Sequence, residues 1–301
     1  MYKNIFITGA TGFVGSYVLD KLINRGFNVK ALIRNKNKIK RHYENCEYIV
    51  GDILDINTYI DSLESIDVII NLVGIIREDK RKGITFNNMH VIATKNLLGL
   101  AEKTGINRFI QMSANGVAAD SHIEYYISKY KADELVKNSN TVYTIFRPSI
   151  IFGKGDGFVT MLAKSIKKLP FFVNFGKGDF PFQLVSVNDV STYFVESINN
   201  NQTFNKTFCL CGENIHTFRE ILAMLQQAMQ LKRILIPIPI VLIKVITLLL
   251  DSISFLPFPL TNDQLEMLLR GNICSDNSID QIFDIEKISL EDQIMDIVKE
   301  V

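Results

Sequence analysis

The chain has 301 residues, of which 47% are hydrophobic and 22% are charged. This composition predicts a folded globular protein with a large core. The formal net charge is +1, so we expect no overall electrostatic attraction to nucleic acid or to an anionic membrane, and no nucleic-acid partner. The amino terminus enters a strand-like run at once, without a secretory or import signal, which favours a cytoplasmic protein.

Four cysteines, Cys46, Cys209, Cys211 and Cys274, are scattered along the chain. They are too few and too irregularly spaced to predict a disulfide framework, and "CLC" does not have zinc-ligand spacing. We expect buried, reduced thiols in a reducing compartment, and no metal site.

The first half alternates apolar strand-like runs with helical patterns. In chain order the predicted strands are "KNIFITG", "FNVKALIR", "EYIVGD", "DVIINLVG", "RFIQMSA" and "VYTIFRPSIIFG". This alternation predicts an α/β fold, a doubly wound parallel Rossmann sheet with a smaller C-terminal lobe. We assign 1–153 to the nucleotide-binding domain, with late elements in 183–212 returning to the sheet. The smaller lobe is predicted to combine 154–182 with 213–301.

A glycine-rich turn, "TGATGFVG", joins the first strand to the first helix. Glycines at this spacing let the backbone turn tightly and approach a pyrophosphate, whose charge then lies against the helix N-terminus. A tight turn without a ligand is the alternative, which the strand–turn–helix context disfavours. The predicted dinucleotide contacts in this turn are Gly9, Thr11, Gly12, Phe13, Val14 and Gly15.

The end of the second strand distinguishes the two pyridine dinucleotides. An acidic residue there favours NAD, whereas an arginine favours the 2′-phosphate of NADP. The chain reads "ALIRNKNK", which places Arg34 at this position with Lys36 and Lys38 close behind. A guanidinium can bind a phosphate through two hydrogen bonds. We therefore predict NADP(H) in preference to NAD(H), with a merely solvated basic loop as the alternative.

One later segment, 234–250, is almost wholly apolar and carries a single charge, Lys244. Pro237 and Pro239 interrupt it, so its continuous part is too short to span a bilayer. Two interpretations stay open: a helix in the core or at a hydrophobic protein contact, and a segment that docks on a membrane surface. The second would make the protein peripheral at the inner face of a membrane.

Together these motifs resemble the short-chain dehydrogenase/reductase superfamily, extended type. The resemblance rests on "TGATGFVG", "GDILD", "NLVG", "RPSIIFG" and "VNDV" and covers nearly the whole chain. "NLVGIIRE", "SANGVAADSHIEYYISK" and "PFPLTNDQLEMLLRGN" are similar to a narrower group, the atypical members related to the nucleotide-binding accessory subunit of respiratory complex I.

The resemblance implies further cofactor contacts at the ends of the strands. Residues after the third strand would contact adenine, residues after the fourth would line the nicotinamide side, and the "RP" pair would lie beside the nicotinamide. The implied residues are Asp52, Ile53, Leu72, Val73, Gly74 and Pro148. Taken alone, each could equally be a turn or strand-end residue.

Tyr125 and Lys129 are four residues apart in a helical pattern and so share one helix face. A nearby ammonium stabilises phenolate, so we expect Lys129 to lower the pKa of Tyr125. Such a tyrosine can exchange a proton with a substrate oxygen while hydride moves to or from the nicotinamide. The lysine can also bond the nicotinamide ribose.

The superfamily's catalytic tetrad also contains a Ser or Thr and an Asn, and both positions depart from the pattern here. "QMSANGV" puts Ala114 where the hydroxyl usually falls, with Ser113 one residue earlier as a doubtful substitute. The Asn position corresponds to His90, for which a satisfied helix histidine is the expected role. Losing one such donor typically costs about 2.7–4 kcal/mol of transition-state stabilisation.

Three functions therefore remain in competition. The first is an NADP(H)-binding protein of the complex I accessory-subunit type, with a structural or sensory nucleotide and weak or no turnover. The second is an NADP-dependent reductase, epimerase or dehydratase that acts on a nucleotide-sugar or lipid-like substrate through Tyr125 and Lys129. The third is an interaction module that docks through 234–250.

Overall fold

The computed structural model of the chain describes residues 1–243 and 261–301. Short strands and helices alternate through most of the described chain. In order they are β1 Asn4–Thr8, α1 Phe13–Asn24, β2 Asn28–Ile33, β3 Cys46–Val50, β4 Val68–Asn71, α2 Ala93–Thr104, β5 Arg108–Met112, α3 Glu124–Lys137, β6 Val142–Pro148, β7 Ile151–Phe152, α4 Val159–Lys168, β8 Phe171–Phe175, β9 Pro181–Phe182, β10 Val185–Ser186, α5 Val187–Glu196, β11 Lys206–Leu210, β12 His216–Thr217, α6 Phe218–Ala228, β13 Ile234–Ile238, and two C-terminal helices, Asn262–Leu269 and Leu290–Val298. A π-helical stretch, Asn87–Ile92, leads directly into α2.

Seven strands form the main sheet, in the order β11-β6-β5-β4-β1-β2-β3. The pairs from β6 through β3 are parallel, and β1 lies between β2 and β4, with Thr8 level with Leu32 on one side and Asn71 on the other. The strand order reverses between β1 and β4, which is where open α/β sheets bind ligands. The predicted doubly wound parallel sheet is confirmed.

Burial explains why these runs form central strands. All four residues of β4 are buried, as are the last four of β1. A parallel sheet with helices on both faces needs such continuous apolar runs. On one face the core packs Phe6, Ile69 and Phe109 of the strands against Leu97 and Leu100 of α2.

The chain divides into two compact units. The first contains Met1–Pro148, Val190–Cys209 and Asp276–Asp284, and the second contains Ser149–Asp189, Leu210–Ser275 and Ile285–Val301. The second unit has its own core, in which Leu162, Phe172, Phe218 and Leu265 are fully buried. Its strands form separate two-stranded sheets, one of which pairs β13 with β8 in parallel.

The apolar segment predicted over 234–250 is only partly helical where it is described. Ile234–Ile238 form strand β13, a strand that the sequence did not predict, and the chain turns helical only after Pro239. Isoleucine is a strong strand former, and proline is tolerated in a strand only at a sheet edge, which both strands of a two-stranded sheet provide. Residues 244–250 lie outside the described residues. No helix of the described chain is long and apolar enough to cross a bilayer.

The prediction of reduced thiols is wrong for two of the four cysteines, and the prediction of burial is wrong for the other two. Cys211 and Cys274 form a disulfide across 63 positions of sequence, within the second unit. Cys46 and Cys209 are free thiols, both half-buried rather than buried. The disulfide partners share no local motif, since only the folded second unit brings them together. The cysteines therefore no longer favour a reducing compartment.

Candidate functional site

The glycine-rich turn lies at the carboxyl end of β1 and leads into α1. Gly9 has φ +79°, in the left-handed region, and its carbonyl accepts a hydrogen bond from the Gly12 N–H at 2.9 Å. A Cβ on Gly15 would lie 2.0 Å from the Gly9 oxygen, so any larger residue there would displace the turn. Gly12 is the N-cap of α1 but has no side chain to cap it, and the first turn of α1 holds no acidic residue. This helix N-terminus can therefore receive an anion at close backbone range.

The loop that follows β4 lies next to the glycine-rich turn. A Cβ on Gly9 would lie 3.0 Å from the Leu72 main chain, so the glycine turn and the Leu72–Gly74 loop are in direct contact. Leu72 is buried, Val73 half-buried and Gly74 exposed. These loops follow β1 and β4, the two strands between which the sheet order reverses.

A buried amide network, which the sequence did not indicate, lies beneath these loops. Asn71 Oδ1 accepts from Thr8 Oγ1 at 2.8 Å and from the Val73 N–H at 3.2 Å. Asn71 Nδ2 donates to Gln111 Oε1 at 2.9 Å and to Thr94 Oγ1 at 3.3 Å. Fully paired buried polar groups hold a single arrangement, so the network fixes the ends of β1, β4 and β5.

On the other side of β1, two predicted contact regions follow β2 and β3. Arg34 is exposed directly after β2. Asp52 is exposed after β3, and its Oδ1 accepts from the Leu54 N–H at 3.0 Å. Ile53 is 4% exposed and packs in the core, so only its main chain can reach a ligand.

Helix α3 carries the tyrosine–lysine pair, and both side chains are buried. Tyr125 is 8% exposed and Lys129 2%. Burial lowers the pKa of the Lys129 ammonium to about 8, while the nearby Asp133 carboxylate acts in the opposite direction. Lys129 Nζ donates to the Met112 carbonyl at 3.0 Å, and it is the nearest atom to the position a Gly74 Cβ would take, at 3.0 Å. An ammonium has three donors, so Lys129 can bind a ligand while keeping its bond to Met112.

The expected pKa shift of Tyr125 is wrong. Burial raises the pKa of the Tyr125 phenol, and the Tyr126 and Asp133 side chains raise it further. The ring lies in an aromatic cluster with Phe86, His90 and Tyr126, at centroid distances of 5.8, 5.6 and 5.4 Å. Sequence spacing alone could not reveal this apolar enclosure. Tyr125 is therefore a neutral phenol at neutral pH.

His90 has a structural role, as expected. The Ile75 N–H donates to its Nε2 at 3.1 Å, and its Nδ1 lies 2.8 Å from Ser128 Oγ, which in turn donates to the Tyr125 carbonyl. Because Nε2 accepts, Nδ1 must carry the proton. Burial, with Lys129 as a smaller contributor, lowers the pKa of His90 to about 2. A neutral imidazole with both nitrogens bonded holds the loop after β4 against α3.

The hydroxyl of Ser113, the doubtful catalytic residue after β5, is bound to a buried carboxylate. Its Oγ donates to Asp133 Oδ2 at 2.9 Å, and Arg147 donates to the same oxygen from Nε at 3.0 Å and from Nη2 at 2.8 Å. Asp133 is fully buried, and its Oδ1 has no hydrogen-bond partner among the described residues. Burial raises the pKa of Asp133, whereas Arg147, Ser113 and Lys129 act to lower it. Sequence reasoning missed this network, although Asp133 follows Lys129 by one further helical turn.

The strand ends of one sheet edge thus bring together most of the predicted residues. The glycine turn, the 72–74 loop, Ser113 and Pro148 follow or end β1, β4, β5 and β6, and Arg34 and Asp52 follow β2 and β3. A Rossmann-type sheet with a glycine turn at its switch point and a Tyr–Lys pair on a flanking helix defines an extended short-chain dehydrogenase/reductase-like protein.

Comparison with known proteins agrees with this class. A family model described as NAD(P)H-binding matches residues 9–200, and the chain belongs to that family. It is 28% identical, over 292 residues, to the mitochondrial NADH dehydrogenase [ubiquinone] 1 alpha subcomplex subunit 9 of Arabidopsis thaliana, covering 91% of this chain and 71% of the relative. It is also 27% identical to the chloroplastic divinyl chlorophyllide a 8-vinyl-reductase of Cucumis sativus, covering 69% of this chain and 52% of that protein.

Solved structures share the fold across the whole chain. An epimerase from Methanothermobacter thermautotrophicus superposes with a TM-score of 0.79 at 17% identity, covering 99% of this chain and 91% of that one. A UDP-glucuronic acid 4-epimerase from Bacillus cereus, solved in complex with NAD, gives a TM-score of 0.78 at 16% identity and covers 99% of both chains. At this identity the likeness concerns the fold alone.

Proposed function

We propose that this chain binds NADP(H) and retains it as a structural or sensory cofactor, with weak or no turnover. The proposal follows the complex I accessory-subunit type that the sequence resembles, and the matched Arabidopsis protein is named as a subunit of NADH dehydrogenase [ubiquinone]. By the same likeness, the chain would contribute its nucleotide-binding unit to a larger protein assembly.

The proposal rests on one observation. The groups that would polarise a substrate are already hydrogen-bonded within the protein. Ser113 Oγ donates a hydrogen bond to Asp133, and both ring nitrogens of His90 are hydrogen-bonded. By the family resemblance, Ala114 stands where the catalytic hydroxyl usually lies. An enzyme of this class needs a donor aimed at the oxygen on which charge develops, worth about 2.7–4 kcal/mol. Tyr125, with its pKa raised by burial, is also a poor proton acceptor at neutral pH.

The residues that would hold the dinucleotide are present at the expected positions of the sequence. Gly12 and Gly15 would allow the pyrophosphate to approach the N-terminus of α1, and Lys129 would bond the nicotinamide ribose. Arg34, exposed after β2, would pair with a 2′-phosphate. A bound nicotinamide would supply the chemistry of hydride transfer. The contribution of this chain is then to bind, orient and enclose the cofactor.

Isothermal titration with NADPH and NADH tests the dinucleotide preference. We expect NADPH to bind at least about tenfold more tightly, equivalent to about 1.4 kcal/mol. Arg34→Ala should remove most of that difference while leaving NADH affinity nearly unchanged. Lys103→Ala, which removes an exposed cation from α2, is the matched control and should alter neither affinity. Equal affinity of the unaltered chain for both dinucleotides would show that the NADP preference is wrong.

Native mass spectrometry of the purified full chain tests retention of the cofactor. A mass increment equal to NADP(H) on the intact protein supports a retained cofactor. A protein that purifies without a nucleotide, and exchanges NADPH freely in the titration, would contradict the structural role.

The second candidate is an NADP-dependent reductase, epimerase or dehydratase. The Tyr125–Lys129 pair favours it, as do matched proteins named as a vinyl-reductase and a 4-epimerase. An enzyme should lose turnover in Tyr125→Phe while keeping its NADPH affinity. A retained-cofactor protein should show no turnover to lose, and Ala114→Ser should raise any trace activity by restoring the missing hydroxyl. Efficient turnover by the unaltered chain, abolished in Tyr125→Phe, would establish the second candidate instead.

A further inference from the structure

The second unit exposes an unusual concentration of large apolar side chains. Phe171, Ile234, Ile236, Val241 and Leu242, here named the β8–β13 patch, are between 41% and 74% exposed. They are five of the eleven exposed large hydrophobic side chains among the described residues. Single exposed apolar residues are ordinary, whereas a cluster marks a surface that contacts something.

The strand pairing places three of these side chains, Phe171, Ile234 and Ile236, on the β8–β13 pair, and Val241 and Leu242 follow in the helical turn after Pro239. In the parallel β8–β13 pair, Phe171 is level with Ile234, and both are exposed. The next pair, Phe172 and Leu235, packs into the core of the unit. Ile236 then points outward again, as the period of two along a strand requires.

Cationic side chains precede both strands of the β8–β13 patch. Lys164 and Lys168 are exposed on α4, which leads into β8, and Lys232 is exposed just before β13. Arg233 joins these two segments, since its Nε donates to the Ile166 carbonyl at 2.9 Å and its Nη2 to the Lys167 carbonyl at 3.3 Å. Residues 157–178 and 221–243 together hold six lysines and arginines and no acidic residue. The rest of the chain holds 27 basic and 32 acidic residues, so positive charge is concentrated here.

One of these cations is already hydrogen-bonded within the protein. Lys167 Nζ donates to the Val301 main-chain oxygen at 2.7 Å. We therefore leave Lys167 out of the charges offered to a ligand. The remaining five still give the segments a clear positive excess.

We propose that the β8–β13 patch docks on the surface of an anionic lipid bilayer. Apolar side chains would enter the boundary between headgroups and acyl chains, while the lysines that precede the two strands would meet anionic headgroups. A second copy of the chain is a less suitable partner for this patch, because an isologous contact would bring the positive charges of both copies together. Addition of a partner's strand is also disfavoured, because Pro237 offers no N–H to a neighbouring strand.

Vesicle flotation of the full chain tests this docking. The probes are phosphatidylcholine vesicles with and without phosphatidylglycerol. We expect flotation with the anionic vesicles only, and its loss at high salt. Each cation near an anionic surface contributes about fivefold to the partition coefficient, so combined Lys168→Glu and Lys232→Glu should reduce it by about 25-fold or more. Lys103→Glu, on α2 of the first unit, is the matched charge control.

Ile236→Glu tests the apolar part of the contact and should also abolish flotation. Its matched control is Ile215→Glu, because Ile215 is 55% exposed in the same unit but lies outside the patch. Thermal unfolding of each variant separates lost docking from lost folding. The proposal is overturned if the unaltered chain does not float, or if Ile236→Glu floats as well as Ile215→Glu. A concentration-dependent dimer without flotation, dissociated by Ile236→Glu, would instead assign the patch to contact between copies. Docking does not depend on a bound dinucleotide, so this assay and the dinucleotide titration can fail separately.

Discussion

Substitution of Lys129 tests whether this buried charge destabilises the fold while it favours binding of the dinucleotide. The side chain is 2% exposed, and burial lowers the pKa of its ammonium from 10.5 to about 8. At about 1.36 kcal/mol per pH unit, that difference corresponds to a cost of about 3 kcal/mol for keeping the charge buried. Lys129→Met removes the charge and nearly preserves the side-chain length. It also removes the hydrogen bond to Met112, worth about 1 kcal/mol. We therefore expect the variant to be more stable by about 2 kcal/mol at neutral pH.

The sign of the pH dependence separates this charge effect from a packing effect. Below about pH 8 both the folded and the unfolded chain carry a protonated lysine, so the full cost is present. Between about pH 8 and pH 10.5 the folded state loses its proton first, and the unfolded state binds more protons. Stability of the unaltered chain then rises with pH relative to the variant. The advantage of Lys129→Met should shrink over this window, whereas a packing difference would not change.

Urea unfolding followed by circular dichroism, at pH 7 and at about pH 10, measures this difference through the linear dependence on denaturant. Lys131→Met is the matched control, because Lys131 is exposed on the same helix, and it should change stability little at either pH. In a parallel titration, Lys129→Met should weaken NADPH binding by about tenfold or more, equivalent to about 1.4 kcal/mol. If Lys129→Met is less stable than the unaltered chain at pH 7, by the same amount at both pH values, the assignment of a buried, costly charge is wrong.

Two further predictions concern the glycine turn and the disulfide. Gly15→Ala places a Cβ 2.0 Å from a main-chain oxygen of the turn, and we expect it to weaken dinucleotide binding by about tenfold or more and to destabilise the fold by about 1–3 kcal/mol. Gly99→Ala, in α2 with no atom within 4 Å of the new Cβ, should instead stabilise by up to about 1 kcal/mol, and similar losses in both variants would refute the steric argument. The Cys211–Cys274 disulfide closes 63 positions of chain, so reductant should lower the free energy of unfolding by about 4 kcal/mol. Alkylation followed by mass spectrometry should count two free thiols in the unreduced protein, and a count of four would contradict the disulfide.

The features that could be predicted from sequence are those set by local backbone requirements. The apolar runs of β1 and β4 had to be buried strands, and the alternation with helices left a parallel sheet as the simplest arrangement. The turn requires a residue that tolerates φ +79° at Gly9. It also requires a residue without a side chain at Gly15, where the main chain passes close to Gly9. The parallel sheet then placed the loop after each strand at the same edge.

The features that could not be predicted depend on partners distant in sequence. Asp133 and Arg147 meet only because α3 packs on the strands that follow it. Arg108 is fully buried without a carboxylate partner among its described contacts, and its guanidinium instead donates to carbonyls that include Ser197 and Val142. Strand β13 was missed because a segment of isoleucines and prolines forms a strand only where a partner strand, here β8, is available to pair with it. In each case tertiary packing, and not local propensity, decides the outcome.

Helix α3 offers a physical argument for the proposal that this site binds a cofactor with weak or no turnover. Tyr125, Lys129 and Asp133 lie at successive helical turns along one stripe. The negative charge of Asp133 raises the pKa of Lys129, against the burial that lowers it, and so helps to keep an ammonium available for a ribose. The same charge adds to the burial that raises the pKa of Tyr125, and so opposes the phenolate that proton abstraction requires. Asp133 also accepts the hydrogen bond that the Ser113 hydroxyl donates. One buried carboxylate would thus help Lys129 to hold a cofactor, while it would disfavour two of the steps that use the cofactor for chemistry.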